Sequence, residues 1–189
     1  LRMSREFYPN WEIVVFHDDS LPPGMLPLLF TAGATTIRVP SGYCPPRATR
    51  FLAAGLSKID RVIFRDADSR PSEREAEAVN RWIESGLPFH AMKDHPCHKA
   101  PLLAGMWGCI GGSLPEIRRM LRRYPWRGAE NDDQVFLEAV VWNLRRDEIF
   151  IHDSRAESLR DQGSTDFPSP AESGRYVGQR VAVDSPKPS

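Results

Sequence analysis

Two aspartates one residue apart, Asp66 and Asp68, follow the apolar run Val62-Ile63-Phe64 and Arg65. Side chains at i and i+2 of an extended segment share a face, so a strand ending in Asp-Ala-Asp sends both carboxylates the same way. Such a pair can grip one hard cation, Mg2+ or Mn2+, through oxygen and leave coordination positions for substrate phosphates. The plain structural alternative is an Asp-rich turn that closes a strand.

Three other clusters carry comparable chemistry. Glu130-Asn131-Asp132-Asp133-Gln134 opens a helical stretch, where unpaired N–H groups and the helix dipole favour negative charge. Asn131 or Asp132 can serve as the cap, whereas Asp133 and Gln134 exceed what a cap requires and are candidates for a reacting centre. His152 and Asp153 directly follow Phe150-Ile151. A neutral His152 imidazole is a good Mn2+ ligand and would complete a site begun by Asp66 and Asp68, although a strand-end histidine also serves as an ordinary hydrogen-bonding group. The segment Lys93-Asp94-His95-Pro96-Cys97-His98 lacks the paired spacing of a zinc site and reads better as a substrate loop, in which Lys93 or His95 meets phosphate or hydroxyl groups. Arg47, Arg50, Arg65 and Arg70 flank the aspartate pair and suit bidentate phosphate contact, or ion pairing with Asp60, Glu73 or Glu75.

The elements that must position these residues alternate in type. Strands are expected at Glu12 to Phe16, Thr35 to Val39, Arg61 to Arg65, Phe89 to Met92 and Ile149 to Ile151. Helices are expected at Met25 to Phe30, Arg50 to Leu56, from Ser72 to Gly86, around Ile117 to Tyr124 and from Asp132 to Leu144. Ser72 and Glu75 have capping-box spacing, and Ala76, Val79, Trp82 and Ile83 form an apolar stripe behind them. Leu102 to Gly112 is apolar and glycine-rich, which fits a strand or a loop where another group approaches the backbone closely. Residues 1–154 therefore form an α/β core, and residues 155–189 are expected to be mostly irregular with one short strand at Tyr176 to Val183. Polar residues gather just after strand candidates, which is where open α/β sheets place ligands.

Lysine plus arginine equals aspartate plus glutamate, 25 each, so there is no electrostatic reason to expect nucleic acid as a partner. Arg118, Arg119, Arg122 and Arg123 fall on the polar face of one helix. The three cysteines, Cys44, Cys97 and Cys109, are odd in number and lack C-x-x-C spacing, which fits a reduced, cytoplasmic setting. No apolar run is long enough for a membrane span and no signal-peptide layout opens the chain; peripheral membrane contact stays open.

The order of these motifs resembles the metal-dependent nucleotide-sugar glycosyltransferases of the GT-A fold, an αβα sandwich around a mixed central sheet. It is most similar to a bacterial glycosyltransferase-like family with blocks matching Arg50 to Ala54, Val62 to Arg70, Arg74 to Trp82, Phe89 to His98 and Gly105 to Gly108. Lys93 stands where that pattern has arginine, and Thr49 where tryptophan is common. The first GT-A strand, which helps hold the nucleotide base, is expected to be missing. The resemblance implies that Asp66 and Asp68 bind Mn2+ or Mg2+ and, through it, the diphosphate of a sugar nucleotide, with His152 a further metal ligand. It places Arg50, Arg65, Lys93, His95, Gly105, Met106 and Trp107 around donor and acceptor, and Asp133 and Gln134 near the anomeric carbon. The acceptor would be a glycan or another hydroxyl compound. The Asp-Gln pair leans towards retention of configuration, with inversion left open.

Three rival readings are carried alongside. A degenerate copy would bind donor without turnover. A haloacid-dehalogenase-like phosphatase would use Asp66-Ala67-Asp68 with Asp132-Asp133 as a later acidic pair. A pure interaction module would bind no metal-dependent ligand.

Overall fold

The computed structural model describes residues 1–181. After a short helix α1 (Arg2–Phe7), strand β1 (Val14–His17), helix α2 (Met25–Thr31) and strand β2 (Thr35–Arg38) form a parallel unit, with β1 and β2 paired in register from Val14 with Thr35 to His17 with Arg38. A 3₁₀ segment, Pro46–Gly55, then leads into β3 (Arg61–Arg65).

Helix α3 (Glu73–Ser85) follows, capped by the Ser72 hydroxyl, which accepts from the Glu75 N–H, and ended by Gly86 at φ 70°. Only glycine enters that left-handed conformation without a steric cost. Strands β4 (Phe89–Lys93) and β5 (Met106–Ile110), helix α4 (Ile117–Arg123), helix α5 (Asp132–Phe136) with its π-helical continuation Leu137–Trp142, and strand β6 (Ile149–Asp153) complete the order. As expected, Arg118, Arg119, Arg122 and Arg123 face solvent on α4, whereas Ile117 and Leu121 are buried.

The larger sheet has four strands in the order β3-β5-β4-β6. Strand β5 is antiparallel to both β3 and β4, and β4 is parallel to β6. The carboxyl ends of β3, β4 and β6 therefore lie along one edge of the sheet, beside the amino end of β5. That edge receives Asp66, Asp94, Ser154 and Gly105. The β1-β2 pair is a separate sheet from the four-stranded one among the described residues.

One face of the larger sheet carries the main core. Phe64, Trp107, Phe51 and Phe136 pack there, with Phe64 and Trp107 stacked at 4.2 Å between ring centres. The other face packs on α3, where the Trp82 indole lies flat against His90 at 5.3 Å. Under that face Tyr8 donates to Glu75 at 2.7 Å, and Glu75 also pairs with Arg65 at 2.8 Å. Segment 155–181 contains one 3₁₀ turn, Glu157–Leu159, and two isolated bridges, Ser69 with Arg180 and His152 with Thr165. A strand at Tyr176 to Val183 is thus reduced to a single bridge over its described part, and residues 182 and 183 lie outside the described residues. No helix among the described residues is long and apolar enough to cross a membrane.

Candidate functional site

Three elements meet at the carboxyl end of β3. Arg50, from the 3₁₀ segment, donates through Nη1 to Asp66 Oδ1 at 2.6 Å and to the Arg65 carbonyl at 2.9 Å, and through Nη2 to Asp133 Oδ2 at 3.3 Å. One guanidinium thus ties Asp66 to the start of α5. Asp133 is buried, and desolvation raises its pKa from its ordinary value, opposed chiefly by the Arg50 charge. The carboxylates of Asp66 and Asp68 stay 49% and 37% exposed, open enough to meet a ligand.

Gly105, just before β5, completes the floor. A Cβ at this position would come within 2.5 Å of the Asp66 carboxyl carbon, so the absence of a side chain is what lets the carboxylate lie against the backbone. Gln134 holds the same loop from the other side: its carbonyl oxygen accepts from the Ala104 N–H at 3.1 Å, and its amide nitrogen donates to the Leu102 carbonyl. Gln134 therefore fixes the glycine-rich segment through its backbone, with its amide oxygen and nitrogen both engaged there. Asp132 accepts from the N–H groups of Arg127, Gly128 and Ala129 at 2.7 to 3.1 Å and is committed to that loop. The acidic pair that the phosphatase reading requires is reduced to Asp133 alone.

Four other expected ligand contacts are displaced by packing. Arg65 points to the α3 face and pairs with buried Glu75. Lys93 is 1% exposed, pairs with Asp161 and lies over the Trp142 ring. Trp107 is fully buried in the core, and Met106 is buried in the cluster of Ala78, Met92, Phe167 and Val177. Lys93, Met106 and Trp107 lie in the interior and Arg65 is half-buried, because strand alternation sends successive side chains into one or the other packed face. His95 remains half-buried at the sheet edge, stacked on Tyr176 at 4.2 Å.

The expected trio of metal ligands is not brought together. Strand β6 is three positions from β3 in the sheet, a separation of roughly 14 Å at the usual strand spacing. His152 is turned to the α3 side, where its Nδ1 lies 2.9 Å from His90 Nε2, with one imidazole donating to the other. Burial brings its pKa down to about 4, aided by the Arg81 and Arg74 charges, so it is neutral and engaged in the core. Among the described residues, no group of three or more His, Cys, Asp or Glu side chains is placed to hold a metal ion. Asp66 and Asp68 lie in the turn that closes β3, where the Ser69 N–H donates to the Asp66 carbonyl at 3.2 Å, which corrects the expectation of an extended pair sharing one face; their carboxylates are partly exposed and pair with Arg50 and Arg180.

Two connections escaped sequence reasoning. Asp94, after β4, accepts from Arg74 at 2.8 and 3.2 Å, from the Ser154 hydroxyl and from the Val177 N–H at 2.9 Å. Arg180 pairs with Asp68. Both link the end of the chain to the sheet edge across long sequence distances, and nothing local in the sequence signals them. No family model, curated protein or solved structure matches the chain.

Proposed function

We propose that the chain is a metal-dependent glycosyltransferase that moves a sugar from a nucleotide-diphosphate donor to a hydroxyl acceptor. The observation that carries this reading is the Arg50 bridge, which sets a buried carboxyl group, Asp133, beside the solvent-open carboxylate of Asp66. A divalent cation on Asp66 and Asp68 would neutralise charge building on the leaving diphosphate. Asp133 lies within reach of the same space and is the carboxyl group offered to the reacting sugar. Arg50 holds it in register with Asp66, and Gln134 holds the backbone of Leu102 to Ala104 that leads into Gly105. His95 at the edge is a further expected donor-binding residue with a partly open side chain.

Isothermal titration with UDP- and GDP-sugars in the presence of Mn2+, followed by a donor-hydrolysis assay, tests the reading. Mn2+-dependent binding and turnover, both lost in Asp66→Asn, are expected. Binding without turnover would support the degenerate copy instead, and no metal-dependent binding would remove the glycosyltransferase reading altogether.

A further inference from the structure

The segment after β6 crosses the carboxyl edge of the whole sheet. Thr165 joins β6, donating to the Ile151 carbonyl and accepting from the Asp153 N–H, each at 2.9 Å. Phe167 is then buried beneath the Arg74 guanidinium, whose carbon stands 4.3 Å from the ring centre. Beyond β4, Val177 is buried and donates its N–H to Asp94, while the Tyr176 ring lies on His95. Up to Val177 the strap is held by buried contacts.

The last described residues are held differently. Gly178 turns the chain at φ 81°, and a Cβ there would come within 2.9 Å of Met106 Cγ. From that turn the strap reaches β3, where the Val181 N–H donates to the Asp68 carbonyl at 2.8 Å and the Arg180 guanidinium takes the Asp68 carboxylate. The Arg180 side chain is 80% exposed. An ion pair so open to water is weak and exchanges readily, in contrast to the buried anchor at Val177.

We infer that residues 178–181 form an autoinhibitory latch, in which Arg180 occupies the Asp68 carboxylate and is released when a divalent cation takes its place. The inference rests on the reading of Asp66 and Asp68 as a cation anchor. A guanidinium and a divalent cation on one carboxylate repel each other, and Arg180, unlike Arg50 on Asp66, is exposed enough to leave, so cation binding favours the open latch. Gly178 supplies the turn at which the latch leaves the anchored strap.

Isothermal titration of Mn2+ into the wild-type chain, Arg180→Ala, Asp66→Asn and the Arg180→Ala/Asp66→Asn double variant separates the two ideas. Arg180→Ala is expected to bind Mn2+ about threefold more tightly than wild type, the scale of one exposed ion pair. Binding should vanish with Asp66→Asn in both backgrounds. Equal affinity of wild type and Arg180→Ala, with binding still lost in Asp66→Asn, overturns the latch and leaves the cation anchor standing. Absence of binding, or binding indifferent to Asp66→Asn, overturns the anchor and the latch together. In a second measurement, saturating Mg2+ should speed amide hydrogen exchange at residues 178–181 of the wild-type chain; unchanged or slowed exchange on Mg2+ binding counts against release.

Discussion

Gly105 and Asp66 occupy space that only one side chain can fill: a Cβ on Gly105 would fall within 2.5 Å of the Asp66 carboxyl carbon. The conflict is with the end of a partly exposed side chain, which can swing away. Gly105→Ala should therefore leave the thermal midpoint within about 2 °C of wild type, as for surface changes of about 0.5 kcal/mol. Mn2+-dependent donor binding should fall about tenfold, because the carboxylate leaves its position. Loss of folding would show that the loop, and not the carboxylate, yields.

Arg50 is the group that opposes the upward push of burial on Asp133. With Arg50→Met the carboxyl loses its nearest positive charge, and its pKa should rise further. If ionised Asp133 is required for turnover, the acid limb of the pH–rate profile should move to higher pH in Arg50→Met. Arg50→Lys keeps the charge without the fork and should move the limb less. An unshifted limb in Arg50→Met would separate Asp133 from the rate-limiting protonation.

Trp107 packs against Phe64 and Phe51 with no exposed surface, so its loss should act on the fold. Trp107→Ala is expected to cost about 3–5 kcal/mol in urea unfolding, the usual range for a large buried aromatic. Retained stability with lost donor binding would return Trp107 to the ligand.

His90 and His152 make stability depend on pH. Burial, followed by the His152 charge, holds His90 well below its ordinary 6.5. His152 is brought down to about 4. In the unfolded chain both recover ordinary values, so between pH 6.5 and 4 the unfolded state binds more protons. The stability present above pH 6.5 is therefore lost progressively as pH falls towards 4. The urea midpoint should be lower at pH 5 than at pH 7.5, and His152→Gln should narrow that difference. An equal drop in the variant would assign the effect to other groups.

Local pattern determined most elements. The apolar run of β3, the Ser72 cap and Gly86 stop of α3, and the alternation of strands and helices are written in short stretches of sequence, because side-chain periodicity and chain stereochemistry act over a few residues. The polar residues after β3, β4 and β6 were legible as one edge because parallel strands put their carboxyl ends together. Tertiary structure decided which of them meet. The order β3-β5-β4-β6 separates His152 from Asp66, and strand alternation sends Lys93, Trp107 and Arg65 into packed faces. The partners of Asp66 and Asp68, Arg50 and Arg180, come from 16 and 112 residues away. Contacts of that range are fixed by how the layers pack, which no short stretch of sequence encodes.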